Sequence, residues 1–481
     1  MKLFTNKTLI TGALFVVVQL FTQIASAAPK IENWTTESGL QVFYVNVPEL
    51  PMLDARLTFA AGSAHDGDKP GIAGMTTSML DKGAAGLNAD QIAEAFESVG
   101  AEFSTGSARD MAWISLRTVT LPEQMNPAIS AWKKVIASPD FPEADFARLK
   151  KQALIGLEAE KQSPAAIANK AFYKNLYHNH PYAQPQNGTE ESINAMSIDD
   201  VKAYFAKYFV VKNAQLALVG SISRDEAEKL ANAVAKALMS NDKGAGEKAQ
   251  EVPEVQPLKT AQTVYIPYPS KQAHIMIGQP GDKRGDADYF KLYLGNHVLG
   301  GSGFTSRLMK QVRVKRGLAY SVYSYFIPMQ ENGPFTVGLQ TKLSQTDQAL
   351  KVVRDELEKF QKEGPSEDEL KASRLNITGG FPLRTASNDD IIGYLAMIGF
   401  YGLPLDYLDT FTDTVNKITR EEVIDAFKRR VHPDKMLTVI VGGKAKNSDE
   451  AKKQKAPQDA QLFIAEPEMK RGEKETTTEK K

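Results

Sequence analysis

Arg313 and Tyr320 stand seven residues apart in the stretch LGGSGFTSRLMKQVRVKRGLAYSVYSY, residues 299–325. A guanidinium and a phenol both donate hydrogen bonds. Together they suit a peptide carbonyl, or the oxyanion that it becomes under attack. They supply neither a nucleophile nor a metal ligand. Taken alone, the commoner reading is a surface arginine and a half-buried strand tyrosine. The stretch predicts a turn at Gly300-Gly301-Ser302-Gly303, a short basic helix over 307–316, a stop at Gly317 and an aromatic strand over 319–325. The glycine turn lacks the lysine of a phosphate loop. Two readings stay open for it: close approach to a bound peptide backbone, and a plain entry to the helix. Arg307, Lys310, Lys315 and Arg316 read as a solvated helix face, and Asn296 and His297 as packing residues in the helix before the turn.

Other routes to catalysis are poorly represented. The chain has no cysteine, so it has no thiol nucleophile, disulfide or cysteine–zinc site. There is no G-x-S-x-G elbow. Of the six histidines only His178-Asn-His180 is clustered. It lies in a proline-flanked loop without the helical spacing that fixes two ring nitrogens on one side, and reads as surface or loop packing.

These residues sit in a chain of 481 with 42% hydrophobic and 24% charged residues, enough for large cores and two or more domains. Formal charge is zero, so no global field points to nucleic acid. Residues 1–27 read as a cleaved secretory signal: Lys2 and Lys7, an apolar stretch Leu9–Phe21, then Ala25-Ser26-Ala27. The apolar stretch falls short of the roughly 20 residues needed to span a bilayer. Removing two lysines with the signal leaves 56 basic against 58 acidic residues. The expected location is a bacterial periplasm, with no membrane insertion after cleavage.

The body reads as α+β: two tandem homologous domains, each a mainly antiparallel sheet packed with helices. The expected boundaries are a first domain over 31–239, a Gly/Pro/Glu/Lys-rich linker over 240–258, a second domain over 259–445 and a charged tail over 446–481. Duplication is carried by matched spacings. Ser197 and Thr419 each open a capping box with a carboxylate three residues on (Asp200, Glu422). Each is followed by Val at 4, Phe at 8 and Gly at 23 residues, an offset of 222 between copies. A strand-to-Gly pattern ending at Gly62 and Gly281 repeats at an offset of 219.

Three segments together, AAGSAHDGDKPGIAGMTTSMLDKGAAG, HPYAQPQNGTEESI and NHVLGGSGFTSRLMKQVRVKRGLAYSVYS, make the chain resemble the pitrilysin/insulinase-type zinc peptidases over residues 35–445. The resemblance implies two duplicated α+β domains per half-molecule, facing each other across a substrate chamber. It also implies H-x-x-E-H on the helix after the first Gly/Asp/Pro turn, where two histidines hold zinc and the glutamate activates water. The matching positions here are Gly74, Ser78 and Thr77, none of which can do that work. The further glutamate ligand falls on Gly156, with Glu158 and Glu160 nearby but displaced. By the same resemblance, Arg313 and Tyr320 bind the substrate backbone over the metal, with Gly300, Gly301, Ser302 and Gly303 as flexible contacts. Members of the family that lack the zinc motif but keep the Arg/Tyr segment pair with a zinc-bearing subunit. The resemblance therefore implies a non-catalytic, substrate-binding subunit with no cofactor of its own, zinc in the partner, and a peptide or unfolded segment as substrate. The alternative is a zinc-free scaffold or binding protein outside proteolysis.

Overall fold

The structure, a computed structural model, describes residues 30–240 and 244–443. The expected signal and charged tail lie outside the described residues. In the first half, β1 (Glu32–Thr35), β2 (Gln41–Asn46) and β3 (Met52–Phe59) lead through a Gly/Asp/Pro turn to α1 (Ile72–Met79). A small hairpin, β4 (Gly83–Ala84) and β5 (Leu87–Asn88), precedes α2 (Ala89–Glu97), β6 (Glu102–Ser107) and β7 (Ala112–Val119). Next come α3 (Pro122–Ala137), α4 (Glu143–Glu160), α5 (Pro164–Tyr177), α6 (Glu190–Ala195), α7 (Ile198–Tyr208), β8 (Ala214–Gly220) and α8 (Arg224–Met239). The second half holds β9 (Gln262–Ile266), β10 (Gln272–Pro280), α9 (Tyr289–Asn296), β11 (Ala319–Phe326) and β12 (Pro334–Lys342). It closes with α10 (Thr346–Glu363), α11 (Glu367–Gly380), α12 (Asn388–Tyr401), α13 (Tyr407–Lys417), α14 (Arg420–Arg430) and β13 (Leu437–Val441).

The duplication is visible in strand order. The first sheet runs β1-β2-β8-β3-β7-β6 and the second β11-β12-β10-β13-β9. Reading β2, β8, β3, β7, β6 against β9, β13, β10, β12, β11, every pairing has the same sense: one parallel pair, then three antiparallel pairs. Both capping boxes form: Ser197 with Asp200 and Thr419 with Glu422. Each satisfies helix N–H groups that would otherwise lack partners.

Each sheet has one face covered by a helix from the other half. On the first, Phe43, Val45, Ala217 and Val219 pack beneath Ile391, Ile392 and Leu395 of α12. On the second, Leu437, Val439 and Val441 pack beneath Ala168, Phe172 and Leu176 of α5. Gly399 and Gly278 permit this: a Cβ on Gly399 would lie 2.5 Å from the Phe43 ring, and one on Gly278 2.8 Å from Phe172. The linker is not a free spacer either. Val252 and Val255 are buried with α5 and β13, and His180 Nε2 contacts the Pro253 carbonyl at 2.7 Å. Two valines three residues apart are too short a pattern to show as periodicity, yet they bury enough apolar surface to seat the strap.

Candidate functional site

The Arg/Tyr segment departs from the expected turn–helix–strand in ways that shape it. Gly300 and Gly301 are not a turn: α9 continues through them as a π-helical stretch, His297–Gly301. The helix is interrupted over 302–306, where Gly303, at φ +58°, opens a 3-10 turn, Gly303–Thr305, and Ser306 is extended. Gly300 presses on β11, where a Cβ would come within 2.5 Å of the Ser324 nitrogen. Asn296 closes that contact by donating Nδ2–H to the Ser324 carbonyl at 2.8 Å and accepting the Ser324 hydroxyl at 2.6 Å. Asn296 is therefore a packing residue, as its position in the helix suggested.

The helix after the break is also largely π-helical, Met309–Val314. A π-turn holds one more residue than an alpha-helical turn, and the extra residue re-aims the chain beyond it. The strand compensates with an irregularity of its own. β11 pairs with β12 at Ala319↔Thr341 and Val322↔Leu339, so a bulge falls at Tyr320-Ser321. The result brings Arg313 and Tyr320 together: the guanidinium carbon lies 4.6 Å from the Tyr320 ring centroid and 4.8 Å from that of Phe304. Tyr320 is 79% exposed and Phe304 67%. Arg313 thus sits between two aromatic faces at the free edge of the second sheet. Phe304 was not legible in the sequence: nothing in GFTSR distinguishes it from a core residue.

The basic residues divide. Lys310, Lys315 and Arg316 are exposed, as a solvated face requires. Arg307 is not on that face. It is mostly buried and holds Glu369 through Nε at 2.9 Å and Nη2 at 2.6 Å, with Glu356 3.6 Å away. Burial pushes the Glu369 carboxyl up, but the Arg307 bonds outweigh it and bring the carboxyl down to about 2. Its partner Glu369 comes from α11, 62 residues on, so the helix's own spacing does not show the pairing.

The first-domain counterpart carries no comparable donors. Gly74 has only Ser107 Oγ and the Gln186 carbonyl within 4 Å of an added Cβ. Thr77 is buried, and its hydroxyl turns back to the Ala73 and Gly74 carbonyls at 3.1 and 3.0 Å. Ser78 is exposed and Gly156 is half-buried on α4, which packs against α1. Neighbouring Glu158 is exposed and pairs with Lys161 at 2.7 Å. Glu160 is buried, its Oε1 accepts from Asn187 Nδ2 at 3.4 Å, and burial pushes its carboxyl up to about 8 against the smaller opposing pull of Asn187 and Lys170. His180 uses both ring nitrogens, one toward Pro253 and the other accepting the Tyr182 N–H at 3.1 Å. Two small hydroxyls and a glycine do not make a tetrahedral N/O donor set, so these residues do not fit zinc. Among the described residues, no group of three or more His, Cys, Asp or Glu could hold a metal ion. The helix itself is well anchored: the Asp66 carboxylate accepts the Gly71 and Ala73 N–H groups at 2.7 and 3.1 Å. An aspartate five residues before a helix-opening glycine was a signal for this anchor in the sequence.

The two regions belong to different sheets. α1 packs on α7, β6 and α4, whereas the Arg313–Tyr320 segment packs on β12, α9 and α10. Fold and site together define a duplicated α+β chain with Arg313 and Tyr320 side by side at one sheet edge and no zinc donor among Gly74, Thr77 and Ser78. The family model "Insulinase (Peptidase family M16)" matches residues 41–190, and "Peptidase M16 inactive domain" matches residues 195–377. The crystal structure of a peptidase M16 inactive domain from Pseudomonas fluorescens is 40% identical, with TM-score 0.83, covering 86% of this chain and 98% of that one. The chain belongs to peptidase family M16. In sequence it is similar to the non-peptidase homolog YmxG of Helicobacter pylori, 29% identical over 85% of this chain and 94% of the relative. It is also similar to the uncharacterized zinc protease YmxG of Bacillus subtilis, at 25% over 75% and 85%. A protease structure from Helicobacter pylori, 19% identical with TM-score 0.77 and covering 86% of this chain and 100% of that one, shares the fold. No helix among the described residues is long and apolar enough to cross a membrane.

Proposed function

We propose that this chain is a non-catalytic, substrate-binding subunit of a zinc peptidase whose metal is carried by a homologous partner chain, acting in a bacterial periplasm. The observation that carries the reading is the geometry of Arg313 and Tyr320. A π-segment and a β-bulge bring the two side chains together at an exposed edge, while Gly74, Thr77 and Ser78 offer nothing to zinc. The partner supplies the ion, its ligands and the general base. Arg313 and Tyr320 reach the substrate carbonyl from the facing side and donate to the oxyanion. The substrate is a peptide or an unfolded segment, because an extended chain can add to an exposed sheet edge and a folded one cannot.

The test is reconstitution. This chain is mixed with a homologous chain bearing H-x-x-E-H from the same cell and assayed on fluorogenic peptides. Cleavage by the mixture, with none by this chain alone, is the expected result. Stoichiometric zinc together with peptidase activity in the isolated chain overturns the reading. A second reading, a scaffold outside proteolysis, draws on the description of the Helicobacter relative as a non-peptidase homolog. An inactive self-paired assembly that captures no zinc-bearing chain favours it.

A further inference from the structure

Asp110 lies in the short turn between β6 and β7, is 2% exposed, and takes no part in the Arg/Tyr site. Three donors converge on its carboxylate from both halves of the chain. The Tyr182 hydroxyl donates to Oδ1 at 2.7 Å. On Oδ2 the Gln330 N–H donates at 2.8 Å and the Tyr401 hydroxyl at 2.9 Å. Tyr182 belongs to the first domain. Gln330 lies in the loop between β11 and β12, and Tyr401 at the end of α12, both in the second. The network extends outward: the Glu331 N–H donates to the Tyr182 hydroxyl at 3.1 Å, and the Tyr177 hydroxyl to the Asn332 carbonyl at 3.1 Å. Arg109 backs it from the first-domain side. Its guanidinium stacks 3.8 Å from the Tyr173 ring and donates to the Tyr182 and Gln184 carbonyls at 2.9 and 3.0 Å.

We propose that Asp110 is the pin that locks the two domains of this chain into one rigid body. The exchanged helices α5 and α12 supply the apolar contact across the seam. Such contact is non-directional and tolerates sliding. Asp110 adds direction, because three donors fixed on two domains can meet one carboxylate in only one relative orientation. A buried acceptor is costly to leave unmet, so a small rotation between the domains breaks several bonds at once. If the chain is a subunit as proposed, and the consequence rests on that reading, a substrate chamber opens between chains and not within this one.

The test uses the full chain by itself. The wild-type protein unfolds in one calorimetric transition, and amide exchange across 329–333 is as slow as in the sheet strands. Asp110→Asn keeps the size but faces an N–H₂ group toward donors. It speeds exchange in 329–333 and 398–402 at least tenfold and leaves the centres of β3 and β12 protected. Tyr401→Phe, which removes one hydroxyl and no volume, gives a smaller change in the same segments and serves if Asp110→Asn does not fold. Two separate transitions in the wild type overturn the lock, as does wild-type exchange in 329–333 in both variants. Neither result depends on a partner, so failure here and failure of the subunit reading are distinct.

Discussion

Arg313→Ala and Tyr320→Phe separate chemistry from stability in the reconstituted complex. Arg313 is half-exposed, and its packing partners in the segment are the rings of Phe304 and Tyr320. Exposed cation–π contacts of this kind are worth about 0.5–1 kcal/mol, so Arg313→Ala lowers the melting temperature by a few degrees at most. Tyr320→Phe keeps the ring beside Arg313 and removes only a hydroxyl that is already in solvent, so stability is unchanged. The effect on turnover is far larger if both groups donate to the developing oxyanion. Loss of one such donor costs on the order of 10²–10³ in kcat, or about 2.7–4 kcal/mol of barrier. A donor used only in the transition state lowers kcat and kcat/KM together and leaves KM alone. Steady-state cleavage of a fluorogenic peptide, with calorimetry on the same samples, measures both quantities. Arg313→Lys refines the result: it keeps the charge, loses the planar fork, and recovers only part of the rate. Wild-type kcat in both Arg313→Ala and Tyr320→Phe refutes the assigned role.

Placing histidines at positions 74 and 78 with Thr77→Glu is expected to give weak zinc uptake, because Gly156 supplies no third ligand. Adding Gly156→Glu raises affinity, as equilibrium dialysis with metal analysis will read; tight stoichiometric zinc in the triple variant means that the ligand register is misplaced. Gly300→Ala puts a methyl against Ser324 and is expected to destabilise by about 1–3 kcal/mol; a wild-type midpoint in urea would show that the π-turn has slack. For pH dependence, Glu160 is raised from 4.5 to about 8 and His65 is lowered from 6.5 to about 4, each mainly by burial. The Glu160 contribution is fully present below its unfolded value and is lost as pH rises toward 8. The His65 contribution is present above pH 6.5 and is lost as pH falls toward 4. Between the two unfolded values these effects oppose each other. Above pH 6.5 only Glu160 of the pair acts, with a slope of about 1.4 kcal/mol per pH unit, so Glu160→Gln removes about 2 kcal/mol of the decline between pH 6.5 and 8. Urea melts at both pH values check the difference, and equal slopes in wild type and variant refute it.

The duplication was legible because it rests on local chemistry. A capping box and an apolar residue at a fixed helical offset are written in consecutive residues, and Ser197 and Thr419 announce them. That Gly74, Thr77 and Ser78 offer no zinc donor was legible for the same reason, since residue identity alone decides it. What escaped is set by tertiary contact. The π-segments at 297–301 and 309–314 leave no signature, because they arise where Gly300 and Met309 meet β11 and the core. Arg307 looked solvated until Glu369, sixty-two residues away, was placed beside it. Phe304 and Asp110 draw their roles from partners that no spacing reveals.

The exchange of α5 and α12 also governs the order in which the protein can be made. The first sheet, complete in sequence at Gly220, has an apolar face over Phe43, Val45, Ala217 and Val219 that stays bare until residues 391–395 exist. Just over four-fifths of the chain must be synthesised before its first domain is closed. Folding therefore waits on long-range closure, which is slow, and the intermediate carries an exposed greasy sheet meanwhile. The chain's first half is therefore a poor unit to express alone.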